Sequence, residues 1–450
     1  MYASSCRCPV ADLSHSWGTR VACATPAHPS PSLPLLIGHG PGGRPVPDPV
    51  GTRSIISPVT DLETRGAATL RRAAPALLGY AAVRALGLLT LALWSAARDK
   101  SAYTLLTARW DALWYTRVAE LGYGYEVRLP NGDVHSNLAF FPLLPWLERL
   151  LAATTPLSYA DGGFAVALLA SLAAAWGVFA VTDHVYGPRA GVCAALLWAV
   201  LPVGIVQSMA YSESLFTALA AWSLYAVLTG RWVTAGALAS LAGLTRPVGL
   251  AVVAAVWATA ITSFVRDRRT PAGAALIPAP KAPGADARRV LGMLLAPLGA
   301  AAYVLWVGHR TGRGPLGYLD VQAGWRNGFD GGYAFARFVA DKFTSFPSAL
   351  AGVGLIVGVG LIVWLYAVCV RQGQPLPLLV YAGVVTALAL CASSYFGSKP
   401  RLLLPAFPLL LPLARALARA RTRWSAPALG TVAVVGAVYG AFWLNGSGPP

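Results

Sequence analysis

Residues 107–126, TARWDALWYTRVAELGYGYE, place two Arg, one Asp, two Glu, two Trp and three Tyr within twenty positions of a largely apolar chain. Asp111, directly after Trp110, is the residue here best suited to chemistry. In apolar surroundings a carboxylate is costly unless it is used, paired or wet. One reading makes Asp111 a general base. The other makes it a solvated cap, since WDALWYTRVAEL is also an amphipathic helix with Asp111 near its start. Trp110, Trp114, Tyr115, Tyr123 and Tyr125 suit stacking on sugar rings, and suit an interfacial aromatic belt equally well.

Three further short stretches carry charge at the ends of apolar runs. YSESLF (211–216) brings Glu213, and TRPVG (245–249) brings Arg246 beside the helix-breaking Pro247. YFGSKPRLLLPAF (395–407) brings Lys399 and Arg401. An Arg offers a forked donor and a Lys a point charge, so a phosphate would account for them. Snorkelling to lipid headgroups accounts for each one singly; three runs converging on one face favour the phosphate. There is no GxxxxGK[ST] loop and no HExxH, which argues against a nucleotide-driven pump and a zinc hydrolase. His135 stands alone. Of the six Cys, Cys193, Cys369 and Cys391 lie within apolar runs as packing residues, and Cys6, Cys8 and Cys23 lie in the N-terminal tail without a second metal-ligand pair.

These groups must be positioned by membrane helices. The 450 residues are 56% hydrophobic and 12% charged, where a soluble globular protein carries about 25% charged residues. Apolar runs near the ~20 residues that cross a bilayer recur from residue 75 to residue 444. The class is an all-α polytopic membrane protein. The net charge of +17 lies mostly in Arg between the runs, which reads as topology and not as nucleic-acid binding. Spans are expected near 75–97, 162–182, 190–208, 214–229, two within 232–265, 290–308, 348–370, 376–395, 401–417 and 425–444, about eleven in all. Residues 138–154 read as an interfacial helix.

Arg65, Arg71 and Arg72 before the first span put the N-terminus in the cytoplasm. The basic segments 266–289 and 415–424 then fall inside. The polar loops 98–137 and 309–346, which hold most of the acids, fall outside. No internal repeat is visible. Residues 1–68, rich in Pro, Gly, Ser and Arg, read as a disordered extension. They are either a cytoplasmic tail or the product of a start codon placed too far upstream, and the second is favoured because nothing in them repays ordering. The transferase domain is expected over 69–450, with an extracytoplasmic first loop at 98–158.

An acid at the outer face, cations for a phosphate and aromatics for a sugar suit transfer of a glycosyl group from a lipid phosphate. The carboxylate would deprotonate the acceptor hydroxyl, and one displacement would invert the anomeric carbon. A lipid-linked sugar flippase or transporter is the alternative. Its charges should line a path through the bilayer midplane, whereas these cluster at one face.

RWDALWYTRVAELGYGYE followed by SNLAFFPLLPWLERL resembles the PIG-V-like mannosyltransferase family, which has many actinobacterial members. AYSESLFTAL, GLTRPVGLA and KPRLLLPAFPLLLPLA resemble its later blocks in the same order. The resemblance covers about residues 75–444. It implies a GT-C glycosyltransferase bundle in the cell membrane with an extracytoplasmic active site. It also implies a polyprenyl-phosphate donor, most simply of mannose, and no obligatory metal or other cofactor. The catalytic acid position carries over to Asp111, and Trp110, Glu213, Arg246, Pro247 and Arg401 match motif positions. The acceptor is a lipid, a glycan or a protein.

Overall fold

A computed structural model of the protein describes residues 58–269, 284–446 and 448, with side chains from Ala68 onward. The expected extension as far as residue 57, with Cys6, Cys8 and Cys23, lies outside the described residues, as does 270–283 within the basic loop.

Helix α1 (Pro58–Ala96) carries the first apolar span, Ala68–Ala96. The polar loop after it is ordered into two helices and a hairpin. Ser101 caps α2 (Ala102–Thr107) by accepting the Thr104 N–H, and α3 (Asp111–Leu121) stops at Gly122, whose φ of 78° suits glycine. Strand β1 (Glu126–Arg128) pairs antiparallel with β2 (Val134–Ser136), setting Val127 opposite His135. Helix α4 (Leu143–Thr154) has 12 residues. That is about 18 Å at 1.5 Å per residue, short of a hydrocarbon core of about 30 Å. Arg149 of α4 donates from Nε to the Ala119 carbonyl of α3 at 2.8 Å, so α4 is fastened to the polar loop.

Helix α5 (Tyr159–Tyr186) opens on a capping box between Ser158 and Asp161, and α6 (Pro188–Ala199) starts with Pro at its first position. Then come α7 (Ser212–Leu228), α8 (Trp232–Gly243), α9 (Leu250–Arg269), α10 (Ala285–Leu295) and α11 (Leu298–Thr311). The second polar loop holds α12 (Gly317–Gly324), β3 (Gly328–Phe329) and α13 (Tyr333–Asp341). Helices α14 (Phe346–Arg371) and α15 (Leu376–Cys391) follow, then β4 (Ala392–Ser393), which pairs with β3. The chain ends through α16 (Lys399–Leu402), α17 (Leu411–Arg419) and α18 (Thr422–Leu444).

Six helices among the described residues are long and apolar enough to cross a membrane: Ala68–Ala96, Tyr159–Tyr186, Pro247–Arg269, Ala285–Thr311, Phe346–Arg371 and Thr422–Leu444. Phe396–Leu402 and Phe407–Arg419, bent by 73°, make a seventh if they are one span. Proline at 400, 405, 408 and 412 accounts for that bend. The expected spans at 214–229 and 376–395, and the first of the two within 232–265, fall on shorter apolar helices. The span expected at 190–208 is broken after Ala199, and a 3-10 turn takes over at Gly204–Ser208. Hydropathy passes over this break, but Pro202 and Gly204 do not support a helix.

Irregular backbone at membrane depth needs partners from the protein. Arg84 of α1 supplies them, donating to the carbonyls of Ala199 and Gly204. One turn earlier, Tyr80 donates to Gln207 Oε1 at 2.9 Å, and Gln207 Nε2 donates to the Trp198 carbonyl at 2.7 Å. Elsewhere the bundle closes on small residues. A Cβ on Gly236 of α8 would stand 2.2 Å from the Gly292 carbonyl oxygen of α10, so only glycine permits that approach.

Candidate active site

Four of the five charged residues singled out by type, Asp111, Glu213, Arg246 and Arg401, sit where a helix begins or breaks and come together; Lys399 does not join them. Asp111 is the first residue of α3 and Glu213 lies in the first turn of α7. The helix N-terminus, with unpaired N–H groups and positive dipole end, favours a carboxylate at both places. Arg246 stands between α8 and the 3-10 turn Pro247–Gly249 with extended backbone, φ −161° and ψ 153°. That is the conformation a following proline imposes. Arg401 lies in the four-residue α16, inside the proline-rich bend.

These four breaks meet. Arg401 Nη1 is 2.8 Å from Asp111 Oδ2, and Arg401 Nε is 3.2 Å from Glu213 Oε1. Arg246 Nη1 is 2.5 Å from the same Glu213 oxygen and 3.2 Å from Ser212 Oγ. Two carboxylates and two guanidinium groups balance. Exposure is uneven: the side chains of Glu213, Arg401 and Arg246 are 1%, 9% and 14% accessible, and that of Asp111 is 25%. Asp111 is therefore the most exposed member. Trp110, just before it, has φ 51° and ψ −125°, a strained conformation for a bulky residue. Arg109 lies over the Trp110 ring, 4.0 Å from its centroid.

Tyr115 joins the network through its hydroxyl, 2.7 Å from Ser212 Oγ. Burial pushes that hydroxyl well above the usual tyrosine range. Its ring is enclosed edge-on by Phe140, so no sugar face is offered there. Trp114 is half-buried, with one face covered by Phe140 at 5.6 Å and its edge met by Trp325 at 4.9 Å. Lys399 is drawn elsewhere. Its Nζ donates to the carbonyls of Ala389 at 2.8 Å and Ala392 at 2.9 Å, and sits over the Phe335 ring. The structure thus brings together Trp110, Asp111, Tyr115, Glu213, Arg246 and Arg401, and turns Lys399 away.

Residue type alone did not single out Ser212, Tyr211 or Trp325. Ser212 links Tyr115 to Arg246, and the Tyr211 ring lies 5.1 Å under the Arg401 guanidinium. Both belong to the YSES stretch, where the presence of a charge drew attention to Glu213 alone. Trp325 comes from the second polar loop. Its indole donates to the Ser136 carbonyl at 3.0 Å and stacks on His135 at 4.0 Å, so the second loop closes over the first. Burial under that indole lowers the His135 pKa below its usual value. Among the described residues no group of three or more His, Cys, Asp or Glu could hold a metal ion; the cations of the network are arginines.

Comparison with known proteins bears on the same residues. The family model described as mannosyltransferase (PIG-V) matches residues 93–269, a stretch that holds Asp111, Glu213 and Arg246. GPI alpha-1,6-mannosyltransferase 2 of Rattus norvegicus is 34% identical over 158 residues, 32% of this chain and 30% of its own length. The Mus musculus protein of the same name is 33% identical over 155 residues, 32% of this chain and 29% of its own. The chain thus spans under a third of the length of the curated relatives it matches.

Among solved structures, ArnT from Cupriavidus metallidurans bound to undecaprenyl phosphate is similar at a TM-score of 0.47 and 15% identity, over 79% of this chain and 62% of that one. The archaeal oligosaccharyltransferase AglB from Archaeoglobus fulgidus gives 0.41 and 13%, over 82% and 56%. Arg401, which closes the network, lies beyond the PIG-V match.

Proposed function

We propose that this protein is a membrane mannosyltransferase of the GT-C type that uses a polyprenyl-phosphate sugar donor, with Asp111 as its general base. The observation that carries the reading is the Asp111–Arg401–Glu213–Arg246 network. It places a partly open carboxylate, Asp111, against Arg401, and buried Glu213 joins Arg401 to Arg246. In the reaction the acceptor oxygen attacks the anomeric carbon and Asp111 takes its proton. The bond from that carbon to the phosphate oxygen breaks, and the lipid phosphate leaves with the electron pair. Arg401 and Arg246 stabilise the charge that grows on the phosphate. A single displacement inverts the anomeric centre. Trp110 and Trp114 border the sugar, and Tyr115 with Ser212 holds Arg246 in place.

The excess of Arg at 266–269 and 415–423 puts those ends in the cytoplasm and the site on the other side of the cell membrane. Cysteines introduced one at a time over 120–135 should react with an impermeant thiol reagent from outside. Labelling only from the cytoplasm would reverse the orientation.

The decisive assay supplies polyprenyl-phosphate [14C]mannose to membranes bearing wild type or Asp111→Asn. Wild type should move label into a new product. The variant should fold and lose about 10²–10⁴ of the rate, the range of a general base. Full activity in Asp111→Asn would remove Asp111 from that role. Label transfer from another lipid-linked sugar but not from mannose would correct the donor.

A further inference from the structure

Arg401 poses a problem that the reaction itself does not solve. It is 9% accessible and its charge is permanent. An unpaired buried guanidinium is costly, so it needs an anion at all times and not only while a donor is bound. Glu213 cannot satisfy it alone. The Glu213 Oε1 that Arg401 Nε approaches is shared with Arg246, and the Arg401 fork reaches Asp111 with Nη1. Arg401 therefore faces Asp111 with the donors a phosphate would use.

We propose that Asp111 holds the place of the donor's phosphate: the incoming phosphate displaces it from Arg401, and only then is the carboxylate free to act on the acceptor. The proposal rests on the reading of the site given above and adds an order of events to it. Of the two carboxylates, Asp111 is the one built to leave. It has one arginine where Glu213 has two, and it is 25% accessible where Glu213 is 1%. It is carried by α3 in the polar loop, and the strained Trp110 precedes it. Glu213 is fixed at the start of α7 within the apolar bundle. The displacement leaves the buried arginine paired throughout, since the phosphate takes it over as Asp111 moves to solvent, where water screens the extra negative charge that the phosphate brings. An acceptor arriving first would find that base engaged, so the donor is bound before the acceptor is activated.

The test is a binding cycle that needs no turnover. Farnesyl phosphate, inorganic phosphate and farnesol are titrated against the purified full chain in detergent, as wild type, Asp111→Asn, Arg401→Gln and the double variant. Thermal melts check each fold, and Asp111→Ser replaces Asp111→Asn should the latter fail to fold. Removing the competitor should tighten farnesyl phosphate about tenfold, the worth of one charge-assisted pair at a partly exposed position. Farnesol should not change. In the Arg401→Gln background the gain should vanish, because there is no longer an arginine to compete for.

Equal or weaker binding of farnesyl phosphate to Asp111→Asn would overturn the displacement. So would a gain that persists without Arg401, which would be plain charge repulsion. Failure of wild type to prefer farnesyl phosphate over farnesol would overturn the site assignment itself, a different result from either. A gain seen with inorganic phosphate and not with farnesyl phosphate would overturn the lipid as the source of the anion.

Discussion

Glu148 and Glu213 are both buried carboxyls, 0% and 1% accessible, in surroundings of opposite character. Glu213 begins α7, between two arginines. Glu148 lies inside α4 against α5 and forms no ion pair among the described residues; the oxygens of neither carboxyl have a hydrogen-bond partner there, so the difference is the arginines. The nearest feature is a notch at Gly163, where an added Cβ would come within 2.5 Å of Glu148 Oε1 and 3.4 Å of the Ala210 Cβ. Burial raises the Glu148 pKa well above the usual carboxylate range, so it is held as the neutral acid. The contrast teaches that burial by itself does not mark a working carboxylate. What separates the two is counter-charge, which distant segments bring to Glu213 and not to Glu148.

The largest way to break this contrast is Glu213→Gln. It leaves Arg401 with Asp111 alone and Arg246 without its carboxylate. Breaking one partner out of a buried ion network costs about 3–5 kcal/mol. The melting temperature in detergent should fall by many degrees and transfer should be lost with it. A variant as stable as wild type would show the two arginines to be supported by something else, and Glu213 would then be no more than a second Glu148.

How much of this was legible beforehand follows from the same residues. Charge in an apolar chain is conspicuous, so Asp111, Glu213, Arg246 and Arg401 could be picked by type, and they meet. Lys399 and Arg401 are two apart and looked interchangeable. Side chains two apart on a helical turn point in different directions, and only Arg401 faces Asp111. Hydropathy placed the apolar runs, but it does not register where backbone hydrogen bonding fails inside one. The break after Ala199 was missed for that reason, although it leads directly into Ser212 and Glu213. Trp325 had no local signal at all: its place beside Trp114 comes from the packing of the second loop on the first. Nothing within 138–154 marks Glu148 as buried, because burial is a property of the neighbours.

A smaller effect sharpens the contrast from the Glu148 side. Gly163→Ala would drive a methyl group against the carboxyl, and overpacking of this kind costs about 1–3 kcal/mol. In a Glu148→Ala background the same change should be nearly neutral, since the obstructing oxygen is gone and the remaining Ala210 contact is of ordinary length. Melts of the four proteins would show it. Additive costs would mean that the notch at Gly163 serves some other neighbour.

The smallest effect has the opposite sign. Glu148→Met replaces an unpaired polar group with an apolar one of similar volume and should stabilise the protein by about 1 kcal/mol near neutral pH. The sign of the pH dependence follows from the raised pKa. The native state holds the Glu148 proton while the unfolded chain releases it near pH ~4.3. Stability from this group is therefore complete below that value and is lost as pH rises through the native one. The gap between Glu148→Met and wild type should widen as pH rises above the unfolded-chain value, until the native group itself ionises. Transfer activity at a permissive temperature should match wild type throughout, because no member of the charge network touches Glu148. A gap that is flat with pH would mean that Glu148 is charged in the folded protein, and a counter-charge would then have to reach it, as two arginines reach Glu213.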